Sequence, residues 1–108
     1  MEIKTSQKFC IITPLSPKMD LIETARLMDE LQHFPDKCIG IDLSFVEDCT
    51  IEFIEAIKNT HAGVFNIHSD IFSIFNFMNI DKCINLFNTE EDFMSNKHRL
   101  LNRNFCIV

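Results

Sequence analysis

The chain has 108 residues, of which 46% are apolar, and a formal net charge of −6. That length suits one domain around one core, the apolar content excludes a disordered polymer, and the acidity disfavours nucleic acid as a partner. No apolar run approaches the length of a bilayer span and no secretory pattern opens the sequence, so a soluble, cytoplasmic protein without membrane insertion is expected.

Residues 2–6 read as a short edge strand. Residues 8–13 follow as a buried strand, with Phe9, Cys10, Ile11 and Ile12 in a row before Pro14 and Pro17. Asp20, with Glu23 three residues later, resembles a capping box and opens the first helix. Leu21, Ala25, Met28 and Leu31 form its apolar stripe, and Pro35 marks its end. Residues 38–43 are apolar enough for a strand covered on both faces.

A second helix is predicted from Thr50, with Ile51, Ile54 and Ile57 inward and Glu52 and Glu55 outward. Residues 64–67 form the next strand, bounded by Gly63 and Ser69. Ser69 is expected to cap a third helix reaching Met78 or Asn79. Its inward stripe is Ile71, Ile74, Phe75 and Met78, with Phe72 and Phe77 on either side. So broad an apolar surface means either deep cover or a contact patch for a partner or a second copy, and Phe72 is a candidate contact residue. Residues 84–87 make the last strand, and Thr89 caps a fourth helix expected to run at least to Asn96. Repeated strand–helix–strand units imply mostly parallel neighbours. The fold class is therefore α/β, with a mixed sheet of four or five strands and about four helices.

Residues 1–96 hold seven Lys/Arg against all sixteen Asp/Glu, leaving −9, while residues 97–108 carry Lys97, Arg99 and Arg103. The first stretch is read as the domain, the second as a basic tail or an extension of it. The five cysteines, Cys10, Cys38, Cys49, Cys83 and Cys106, have no close pairs, and the four histidines lack metal-ligand spacing, so reduced thiols and no cofactor are expected. No nucleophile–base pair or glycine-rich phosphate loop is legible, which points away from an enzyme. Cys49, at a helix start, has the position of an activated thiol but sits among acids that oppose a thiolate.

Three segments resemble the STAS domain family of bacterial anti-sigma factor antagonists and sulfate-transporter tails. Asp20 lies where that family has an aspartate at its first helix. The run Ile39-Gly40-Ile41-Asp42-Leu43 through Glu47-Asp48-Cys49-Thr50 resembles its central strand and following loop. Met78-Asn79-Ile80-Asp81-Lys82, Ile84-Asn85-Leu86-Phe87 and Thr89-Glu90-Glu91 resemble its third helix end, last strand and last cap. The resemblance implies a STAS-like domain that binds an anti-sigma-type serine kinase and switches partners on phosphorylation.

The family's loop ends Asp-Ser-Ser-Gly. Here Cys49 takes the place of the first serine and Thr50 that of the phosphorylated second one, while Ile51 replaces the glycine and removes its backbone freedom. Thr50 is thus either a phosphorylation site or an N-cap alone. Asp20, Asp48, Cys49, Glu52 and Glu55 become candidate partner contacts, or simply solvated loop charges. The alternative function is a scaffold STAS domain that is never phosphorylated.

Overall fold

The computed structural model describes residues 1–78 and 83–96. The expected α/β fold is present, built on a mixed five-stranded sheet and four helices. Strand β1 (Glu2–Thr5) folds back antiparallel on β2 (Phe9–Thr13), with Glu2 opposite Thr13. Strands β4 (Cys38–Asp42), β6 (Gly63–Phe65) and β7 (Asn85–Leu86) continue the sheet in parallel, in the order β1-β2-β4-β6-β7. A second, two-stranded parallel sheet joins β3 (Lys18–Met19) to β5 (Asp48–Cys49). Strands of two residues carry no alternation, and the prolines before β3 read only as a stop.

Strand alternation divides the interior into two layers. Cys10, Ile12, Ile41, Val64 and Leu86 face helices α1 (Leu21–Leu31), α2 (Ile51–Lys58) and α3 (Ser69–Phe77). Those helices contribute Leu27, Phe53, Ile54, Ile57, Ile71 and Phe75. On the opposite face Ile11, Phe65 and Phe87 meet Phe93 of the short α4 (Glu90–Met94), with Phe9 packed alongside.

The chain's two glycines serve that second layer. Gly40 and Gly63 are register partners, and neither has a positive φ. A Cβ at Gly40 would stand 2.7 Å from Phe93 Cε2, and one at Gly63 would stand 2.5 Å from Phe93 Cδ1. The glycines are therefore needed for close approach of the ring, not for backbone freedom. Phe93 stacks on Phe65 at 5.6 Å and meets Phe9 and Phe87 edge-on. Gly63 is thus the first residue of β6 rather than a boundary before it.

Several predicted details are corrected. Leu21 and Ala25 of α1 point outward, and the buried residues are Thr24 and Leu27, with Met28 and Leu31 half-buried against the core. In α2, Ile51 is outward and Phe53 takes the inward place beside Ile54 and Ile57. Leu21 and Ile51 fall to the side of the buried stripes, which are set by Thr24 and Leu27 in α1 and by Phe53, Ile54 and Ile57 in α2. Met78 is exposed, leaving Ile71 and Phe75 as the buried pair of α3, with Phe72 and Ile74 packed partly against the core. The N-cap of α3 is His68, not Ser69, and its side chain makes no capping bond. Helix α4 stops at Met94: Asn96 takes a left-handed φ of 58° and its N–H donates to Phe93 O at 3.1 Å, closing the helix end. The predicted helix end at Asn79, the resembling residues 79–82 and the tail 97–108 lie outside the described residues.

Candidate functional site

Because β2, β4 and β6 run parallel, the loops leaving their C-terminal ends gather at one end of the molecule, together with the N-termini of α1, α2 and α3. The β3–β5 sheet ties this end together. Pro17 O accepts from Glu47 N at 2.7 Å and Asp48 N at 3.0 Å, and Met19 pairs with Cys49. Helices α1 and α2 both begin two residues beyond that last pair, so their first turns sit side by side.

Asp20 and Thr50 are the two N-caps. Asp20 Oδ1 accepts from Glu23 N at 2.9 Å. The reciprocal half of the predicted capping box is diverted, because Glu23 bridges to Arg26 at 3.3 Å. Thr50, half-buried, accepts from Phe53 N through its Oγ1 at 3.4 Å and donates to Met19 O at the same distance. Its own N–H also donates to Met19 O, at 3.0 Å. The hydroxyl is thus held between the amide end of α2 and the main chain of β3, where the helix dipole favours negative charge.

The neighbouring candidates differ in environment. Asp48 is exposed, and its Oδ1 accepts from Cys49 N at 2.9 Å while Lys18 lies opposite it across the small sheet. Cys49 is half-buried; burial, and after it the Asp48 carboxylate, push its thiol up to about 11. It is therefore protonated at neutral pH and poorly suited to act as a nucleophile. Glu52 and Glu55 are exposed on α2. Phe72 stands apart from them, on α3, half-buried against the main core.

Sequence reasoning missed the apolar part of this end. Leu21, Ile22 and Ile51 are 60–65% exposed, and Leu15 and Phe45 stand exposed in the two adjoining loops. The acidic neighbours Asp20 and Glu23 around Leu21 and Ile22, and Glu52 beside Ile51, are the sequence signal for an outward first turn. Behind these loops, Asp42 Oδ1 accepts from Ser44 N at 3.0 Å and Asn66 Nδ2 at 3.1 Å, and His68 Nε2 lies 3.0 Å from Ser44 O. These bonds fix the loop that carries Phe45.

Among the described residues, no group of three or more His, Cys, Asp or Glu is arranged to hold a metal, and no helix is long and apolar enough to cross a membrane. No family model matches this chain, and no curated protein matches it either.

Proposed function

We propose that this protein is a regulatory protein-binding module of the STAS type, acting by partner switching in the cytoplasm and not by catalysis. Its partner on this reading is an anti-sigma-type serine kinase, which supplies the phosphoryl group from ATP. The observation that carries the reading is the place of Thr50: a half-buried residue whose hydroxyl caps α2, on a segment that also carries the exposed Asp48, Glu52 and Glu55. A phosphate there adds roughly −1.5 to −2 charges to an acidic surface. Helix α2 tolerates it through its unpaired amides, while a partner closing over this edge must strip water from the new charge, which weakens the contact.

The test is phosphorylation followed by titration. Incubation with such a kinase and ATP should place phosphate on Thr50, read by mass spectrometry of the intact protein and its peptides. Thr50→Asp, which still caps the helix, should weaken kinase binding by about tenfold, or ~1.4 kcal/mol. Thr50→Val should block modification and cost ~0.5–2 kcal/mol of stability through the lost cap. Wild-type affinity in Thr50→Asp, together with no phosphate on the wild type, would leave the scaffold reading in its place.

A further inference from the structure

We infer that the exposed apolar side chains of the first turns of α1 and α2 anchor the partner, and that the partner presents an apolar face rimmed by lysine or arginine. The inference rests on the binding-module reading above and adds the chemistry of what binds. Leu21, Ile22 and Ile51 are 64%, 65% and 60% exposed, on neighbouring helices whose starts are levelled by the Met19–Cys49 pairing. Leu15 and Phe45 extend the patch from loops joined through Pro17 O. Elsewhere among the described residues Phe77 on α3 is 90% exposed, while Met1, Ile3, Met78 and Met94 are 36–44% exposed. Clustering of this kind on an otherwise charged surface marks a contact site.

The rim decides the partner's charge. Asp20 caps the helix that carries Leu21 and Ile22, and Glu47, Asp48, Glu52 and Glu55 lie along the segment that carries Ile51; among the described residues 15–25 and 42–57 the one Lys or Arg is Lys18, opposite Asp48. Arg26, the next cation along α1, is already paired with Glu23. An anionic membrane or a nucleic acid would be repelled by this rim, whereas a basic protein face is steered toward it. Apolar anchors at the centre with complementary charge around them are the arrangement by which protein interfaces gain both affinity and orientation.

Two synthetic amphipathic helical peptides with the same leucine face, one with a lysine and one with a glutamate polar face, provide the probe. Each is titrated into isotope-labelled protein and followed by amide chemical shifts. The lysine peptide should shift residues of the 20–24 and 47–55 segments and bind at least about tenfold more tightly than the glutamate peptide. Ile22→Gln combined with Ile51→Gln should weaken it by about tenfold, whereas Phe77→Gln should leave it unchanged. Both replacements are at exposed sites, and circular dichroism should show native helix content.

Equal binding of the two peptides, shifts centred on α3 or α4, or stronger binding to phosphatidylcholine–phosphatidylglycerol vesicles than to the lysine peptide would overturn the inference. The outcome is separable from that of the switch. Absence of phosphate on Thr50 removes the switch and leaves the peptide map intact, while a map elsewhere removes the docking surface whatever happens at Thr50.

Discussion

Thr24 lies on the inward side of α1, 5% exposed, and its Oγ1 is the one buried side-chain polar atom without a hydrogen-bond partner among the described residues. A buried hydroxyl that gives up water without a replacement costs about 1–3 kcal/mol. Thr24→Val keeps the shape and the branched Cβ and removes the orphan, so it should stabilise the fold by ~1 kcal/mol. Urea titration would show a higher midpoint at an unchanged slope. Cys49 sets a second expectation. Its folded value is raised from 9.0 to about 11, so the thiol favours the folded state fully below pH about 9 and loses that contribution as pH rises toward 11. Cys10, raised as well, chiefly by burial, acts in the same direction. Stability measured from pH 7 to 11 should fall at the alkaline end, and less steeply in Cys49→Ala. A profile identical in the variant would remove Cys49 from the account.

At the scale of elements, α4 shows why a short helix can be decisive. It has five residues, yet Phe93 closes the second face of the sheet by sitting over Gly40 and Gly63. The Lys4–Glu90 pair at 2.8 Å ties its start to β1 but is solvent-exposed and adds little. Gly63→Ala should therefore destabilise by ~1–3 kcal/mol, because an aromatic ring cannot yield as a flexible side chain does. Combined with Phe93→Leu, the loss should be smaller than the sum of the two single changes, since they share one clash. Additive losses, measured by denaturation of all three variants, would rule out that seat for the ring. This contact was not legible in the sequence. Strand order, helix count and the Thr50 cap follow from local periodicity and cap chemistry, which the sequence displays directly. The pairing of two glycines beneath a ring some thirty to fifty residues away is long-range, and so is the β3–β5 ladder. The outward turn of Leu21 and Ile51 was missed for a related reason: spacing gives a helix's period, but which side of it faces the core is set by long-range packing against the sheet.

For the molecule as a whole, the order β1-β2-β4-β6-β7 is also the order of these strands along the chain. Each strand joins the outer edge of those already laid down, and none is inserted between two earlier ones. The ladder can therefore grow during synthesis in the order the ribosome delivers it, with a hairpin, the cheapest long-range contact, as its seed. Phe93 comes after all five strands, so the face over Gly40 and Gly63 is sealed only when synthesis has passed it. We predict the same order when the full chain refolds, with this face sealed after the folding barrier. Phe93→Leu should accordingly speed unfolding while leaving the refolding rate nearly unchanged in stopped-flow measurements. Until Phe93 emerges, a nascent chain presents Phe9, Ile11, Phe65 and Phe87 on an uncovered sheet face. That interval is when this sheet face can stick to its neighbours or be captured by a chaperone.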